Sequence, residues 1–210
     1  MPSSVIGILR KLRYNMQQKI DKRRKYYTQL VKNTTLAELI GIILGDGHVH
    51  KFPRTDRLVI TCGSKKNKYI KRIVSIVTNV FGKQPSVLKR KAENTSDISL
   101  YQGKLEERLA IPAGNKIKNN VGIPVWIKRN KDYVIYCLKG LFETDGCFQK
   151  DHANYAQYIE LKNFCNQIRL DTYEVLKKIG YHPQINTTYV RLAKRQEVYS
   201  FKELISFRKY

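Results

Sequence analysis

Two carboxylates stand where a helix disfavours them. Asp46 closes the run LAELIGIILGDG (36–47), Asp145 closes LKGLFETDG (138–146), and a glycine follows each at once. An acid in the last turn faces the partial negative charge of the unpaired carbonyls, which favours cations instead. Gly41 and Gly45 are four residues apart, as are Gly140 and Thr144. Residues at that spacing share a helix face, and small side chains there let two backbones approach closely. If the runs pack flank to flank, Asp46 and Asp145 meet and repel. A hard divalent cation takes oxygen ligands and would relieve the repulsion, so the pair reads as a metal site. A single Asp-Gly is ordinarily a turn signal. Two copies, each behind an apolar helical run, are more than a turn requires.

The rest of the chain must bring these helices together. Its 210 residues suffice for one large domain or two small ones sharing a core, and 42% of them are hydrophobic, as in a globular protein. Lys and Arg total 40 against 17 Asp and Glu, a formal net charge of +23. Such an excess points to a polyanion, nucleic acid ahead of a membrane surface. No apolar run approaches a membrane span, and no signal-peptide core is present at the N-terminus. Cys62, Cys137, Cys147 and Cys165 form no CxxC pair, which argues against zinc and against a disulfide scaffold. His48 and His50 lack a cysteine partner and are not read as ligands. The expected location is a reducing interior, the cytoplasm of a prokaryotic cell or an organelle, without secretion.

Residues 1–33 carry nine basic residues and one acid, Asp21. Leu9, Leu12, Met16 and Ile20 recur at helical spacing, so this extension reads as an amphipathic helix, with Lys22-Arg23-Arg24-Lys25 against DNA phosphates. Thr35 is the expected N-cap of the first motif helix, with Glu38 completing a capping box. Strands at 48–52 and 57–62 follow, then a helix over 66–81 stopped by Gly82, strands at 86–91 and 97–101, and a short helix at 105–109. After the connection 111–130 the plan repeats. Strands are expected at 147–150 and 155–162, a helix over 167–179 stopped by Gly180, strands at 184–186 and 189–193, and a helix over 198–205. Asp46 and Asp145 are 99 residues apart, which is the period of an internal duplication. The predicted repeats are 34–110 and 131–210, each αββαββα, giving an α+β protein with antiparallel sheets packed on helices. Trp126, in the connection, is expected to pack on the core.

Leu58 and Ile60, Ile98 and Leu100, Ile159 and Leu161, Val190 and Leu192 alternate at period two and should face the helices. Arg57, Thr61, Ser99, Tyr101, Tyr158, Glu160, Lys162, Tyr189 and Arg191 then face outward. Arg and Lys can pair with guanine edges, Glu160 could accept from cytosine N4, and a β-ribbon fits the major groove. Lys51, Arg54, Lys89, Arg90, Lys91, Lys150 and Arg195 are placed at hairpin tips, where they would contact phosphate.

LIGIILGDG and LKGLFETDG resemble two copies of the LAGLIDADG motif of homing endonucleases. Leu44 departs from the pattern where the family often has an acid, and Glu143 keeps it. The segment IPAGNKIKNNVGIPVWI (111–127) is similar to the inter-repeat connection, and VRLAKRQEVYSFKELISFRKY (190–210) to the closing strand and helix. The resemblance implies a pseudo-symmetric monomer whose two sheets form a saddle over double-stranded DNA, with the motif helices packed at its centre. It implies magnesium, with manganese able to substitute, held by Asp46 and Asp145 together with Gly45 and Thr144. A metal-bound water would then attack each strand and leave a staggered break with short 3′ overhangs. Lys116 and Lys209 are similar to the family's basic residues beside the metals, with Lys65 and Lys162 as further candidates. Cys62 stands where relatives often have Gln. No small-molecule substrate is expected. A chain beginning with its own Met suggests a free-standing or intron-encoded product. An RNA maturase, a non-cleaving DNA-binding regulator and a basic ribosomal component are the alternatives.

Overall fold

A computed structural model describes residues 28–151 and 156–208. The amphipathic N-terminal helix predicted over the basic extension lies outside the described residues, as does Lys209.

The first motif helix, α1 (Thr34–Asp46), begins two residues earlier than the sequence suggests. Asn33 is its cap, accepting from the Leu36 N–H at 2.8 Å. Asn side chains are among the best at this task. Thr35 therefore lies inside the helix, and Glu38 faces the core at 6% exposure instead of closing a capping box. The second motif helix, α5 (Lys131–Asp145), is capped likewise by Asn130, which accepts from Asp132 and Tyr133 N–H groups at 2.9 and 3.2 Å.

From α1 the chain runs into β1 (Gly47–Lys51) and β2 (Asp56–Gly63), then α2 (Asn67–Phe81), β3 (Ser86–Arg90), β4 (Thr95–Gln102) and α3 (Leu105–Leu109). A short helix, α4 (Val125–Lys128), lies within the connection. The second repeat follows α5 with β5 (Gly146–Asp151), β6 (Ala156–Lys162), α6 (Asn166–Lys178), β7 (Gln184–Ile185), β8 (Tyr189–Leu192) and α7 (Arg195–Leu204). Each repeat makes one four-stranded antiparallel sheet, ordered β1-β2-β4-β3 and β5-β6-β8-β7. Both predicted helix stops hold: Gly82 (φ +62°) and Gly180 (φ +97°) take the left-handed conformation.

The predicted inward set is buried, from Leu58 and Ile60 to Val190 and Leu192. On α2, Ile70, Ile73, Val77 and Phe81 are buried as the helical period requires. The motif helices form the common core. Every residue from Leu36 to Leu44 is buried, because α1 packs on α5 and on the first sheet together. Trp126 packs on this core, its ring edge-on to Tyr133 at 5.2 Å between centroids.

Candidate metal and nucleic-acid site

The helix pair closes around missing side chains. A Cβ on Gly41 would fall 2.0 Å from the Cys137 carbonyl oxygen, and one on Gly140 would fall 2.2 Å from that of Glu38. Nearer the tip, a Cβ on Gly45 would strike Thr144 Oγ1 and come within 3.4 Å of Asp145 Cγ. Thr144 turns its hydroxyl back to donate to Leu141 O at 2.7 Å. Gly47 and Gly146 are extended (φ −92° and −79°), so neither supplies a left-handed turn. Their role is space: a Cβ would meet Ile43 Cα at 2.5 Å or Phe142 O at 2.2 Å as each helix turns directly into a strand.

Asp46 and Asp145 are the last residues of the two helices, brought to one place by this contact. The Asp46 carboxyl is pushed up to about 6, first by burial and then by Asp145, with Lys116 and Lys66 pulling the other way. Its side chain reaches solvent, but protein crowds most of the space from which water would otherwise solvate it. Asp145 is also raised by burial, opposed by Asn163 and Lys116. Asn163 Nδ2 donates to Asp145 Oδ2 at 2.7 Å, and Arg169 Nη1 holds the Asn163 carbonyl at 2.6 Å. Among the described residues neither aspartate forms an ion pair.

Lys116 arrives from the connection and caps α1. Its Nζ donates to Ile43 O at 3.2 Å, to Leu44 O at 2.8 Å, and to Gly45 O. A cation at a helix C-terminus satisfies orphan carbonyls and opposes the dipole. Burial lowers its pKa, while Asp145 and Asp46 raise it. At the other tip Arg208 Nη2 donates to Gly146 O at 2.8 Å. Arg208 thus occupies the clamp position beside the predicted Lys209. Sequence reasoning missed Arg208 and Asn163, each of which adjoins a predicted lysine, Lys209 and Lys162.

Behind the tips, Arg72 of α2 bridges Glu38 of α1 and Glu143 of α5, with Lys139 3.7 Å from Glu38. Glu143, the acid retained in the second motif, is therefore committed to this cluster. Cys62 also faces inward, at 5% exposure, with its thiol pushed up to about 11 by burial. It does not lie on the outward face where a polar group could assist the site.

The two oxygen-rich tips suit a hard divalent cation, although the described residues hold no group of three or more His, Cys, Asp or Glu able to bind one alone. Magnesium is commonly held by one or two carboxylates plus substrate phosphate, so the donor set fits an ion shared with a phosphodiester. Gly45 O, predicted as a ligand, accepts from Lys116.

The outward sheet faces are more tightly paired than the sequence suggests. Arg57 Nη2 donates to Ser99 Oγ at 2.9 Å and its guanidinium lies 5.6 Å from the Tyr101 ring. Thr61 donates to Asp97 at 2.8 Å, and Arg90 pairs with the same acid. Ser99 is buried and Tyr101 exposed. Glu160 is 1% exposed and held by Arg191 and Lys162, so it cannot reach a cytosine as predicted. Tyr158 donates to Gln149. Lys65, Arg54, Lys89, Lys91 and Lys150 are exposed, and Lys51 is exposed beside Glu106. Arg195 begins α7 and is not a hairpin tip.

Residues 132–210 match the LAGLIDADG-like domain family. The chain is 26% identical over 176 residues to the replication factor C small subunit of Methanocaldococcus jannaschii, covering 75% of this chain and 9% of that protein. It therefore spans under a tenth of that relative's length. The structure is similar to the homing endonuclease I-DmoI in complex with DNA and Mn, at TM-score 0.57 and 19% identity, covering 82% of this chain and 96% of that one. It is similar also to the homing endonuclease I-WcaI bound to its DNA recognition sequence, at TM-score 0.56 and 18% identity, covering 89% and 86%. These likenesses establish the two-repeat α+β fold predicted from the motifs.

Proposed function

We propose that this two-repeat LAGLIDADG protein is a site-specific DNA endonuclease, acting as a monomer and cutting both strands of a long target in a divalent-metal-dependent reaction. The observation that carries the reading is the pair Asp46 and Asp145, crowded together at two helix tips with the Asp46 carboxyl raised to about 6. Such crowding costs stability and has a purpose if cations arrive with the substrate. Bound magnesium, or manganese in its place, would supply Lewis acidity and neutralise charge on the transferring phosphate.

The chain's own groups do the rest. Asp46 and Asp145 would hold the ions, and Asn163 fixes the Asp145 carboxylate in orientation. Lys116 and Arg208 hold the helix tips, and Lys116 adds positive charge beside the phosphate path. Lys209 is assigned the same supporting role in the second half. Exposed lysines and Arg54 around the sheets track phosphates, which positions the duplex without reading it. The products are short 3′ overhangs, the cuts lying across the minor groove, and the enzyme works on DNA inside a cell. No helix among the described residues is long and apolar enough to cross a membrane.

Incubation with a randomised duplex library, with magnesium and separately with manganese, tests the reading. Cleavage at a common sequence supports it. DNA binding without cleavage under both ions would favour the regulator, and selective intron RNA binding the maturase.

A further inference from the structure

On the outward face of the second sheet, Arg191 is held by a carboxylate and by two rings. It lies on β8 opposite Glu160 of β6, and the matching pair in the first sheet is Thr61 opposite Asp97. Glu160 Oε2 accepts from Arg191 Nε at 2.9 Å and from Nη2 at 2.7 Å. The guanidinium lies 4.0 Å from the Tyr158 ring centroid and 4.3 Å from that of Tyr189. Its Nη1 makes no hydrogen bond within the described residues, and a quarter of the side chain stays open to solvent.

A buried carboxylate is expensive, and an apolar pair would hold two strands together as well. This one grips one side of a planar fork and leaves the other side free. Stacking against two rings and bonding to a carboxylate remove the rotamer freedom that a long side chain otherwise loses on binding. A fixed guanidinium edge with parallel N–H groups matches guanine O6 and N7 in the major groove. Arg90 provides the contrast. It pairs with Asp97 through Nη2 and with Glu93 through Nη1, so both ends of its fork are engaged.

We propose that Arg191 reads one guanine in the half of the target covered by the second sheet, with Glu160, Tyr158 and Tyr189 as its positioning residues. The proposal rests on the endonuclease reading for its duplex DNA partner. It reverses the role expected for Glu160, which holds the reader and touches no base.

The test is selection of bound duplexes from a randomised library by the full chain in calcium, which permits binding to be scored apart from cutting. Arg191→Ala would leave a buried carboxylate with the exposed Lys162 as its one cation, so the variants are Arg191→Lys, which keeps a cation over Glu160, and Glu160→Gln, which keeps its shape. Thermal melting of each confirms folding. The wild-type chain is expected to select a site with an invariant guanine on one strand. Both variants should lose preference at that one base pair, by on the order of 5- to 150-fold for Arg191→Lys and less for Glu160→Gln, with all other positions unchanged. A folded Arg191→Lys chain that selects the wild-type site unaltered overturns the proposal, as does an even loss of affinity over all sequences, which marks a phosphate contact. A wild-type chain that selects no sequence overturns the functional reading itself, and the two failures are thereby distinct.

Discussion

A side chain on Gly41 would place its Cβ 2.0 Å from the carbonyl oxygen of Cys137, so α1 and α5 meet backbone to backbone. The obstacle is main chain inside a helix and cannot rotate away. Gly41→Ala is therefore expected to destabilise the protein by about 3 kcal/mol or more, the upper end of overpacking costs. Denaturant unfolding measures this, and Gly140→Ala should behave alike. A loss of under about 1 kcal/mol would mean the helices part easily.

The crowding of Asp46 and Asp145 makes a prediction with a definite sign. The Asp46 pKa, raised to about 6 from an ordinary 3.8, means the folded state holds its proton more tightly than the unfolded chain. The stability that Asp46 contributes in the absence of metal should therefore be fully present below about pH 4, decline as pH rises to about 6, and be lost above. Asp46→Asn should remove this decline and stabilise the metal-free protein at pH 7. For a carboxylate open to solvent the gain is on the order of 1 kcal/mol after screening. Melting temperature against pH checks it. The same variant should bind DNA and fail to cut.

Arg72 is the cation between Glu38 and Glu143. Removing it as Arg72→Ala leaves buried Glu143 without its ion pair and buried Glu38 with Lys139 alone, and a cost of about 3–5 kcal/mol is expected. The triple variant Arg72→Met with Glu38→Gln and Glu143→Gln should recover most of that loss. Equilibrium unfolding of the two forms distinguishes a charge effect from lost packing.

Lys116→Met keeps much of the aliphatic stem and deletes the α1 clamp. Charged hydrogen bonds to three carbonyls suggest a stability loss of about 2 kcal/mol. If Lys116 also acts beside the phosphate, cleavage should fall far more than DNA affinity, and added magnesium should not restore it. An equal fall in both would assign it to the clamp alone.

DNA binding by a chain of net charge +23 should weaken steeply with salt. If six or so phosphates are contacted, log K should fall against log salt with a slope near −5, by the relation of about −0.9 for each phosphate. An almost flat titration would exclude the phosphate-tracking surface.

Much of this architecture was legible without coordinates, because it rests on local periodicity. The doubled Asp-Gly, the glycine stops at Gly82 and Gly180, and the alternation of Ile98 with Leu100 each report a neighbour a few residues away. The 99-residue period then implied two copies of one unit. Asn33 and Asn130 were legible too, but Thr35 with Glu38 mimicked a capping box, and the need to bury Glu38 against Arg72 decided otherwise.

The sequence alone determined which residues form the helix pair and that two carboxylates end it. Only the tertiary structure decided what each polar group is spent on. Shifted by 99 residues, Glu38, Arg72 and Glu143 become Cys137, Asp171 and Leu44, so the Glu–Arg–Glu cluster of one half has no copy in the other, where Asp171 pairs with Lys128 at 2.9 Å instead. Likewise Glu160 is buried against Arg191 while its counterpart Thr61 bonds Asp97. Such pairings join residues tens of positions apart. A side chain's partner there is set by which strands adjoin and how deeply the sheet excludes water, and neither is written in local spacing.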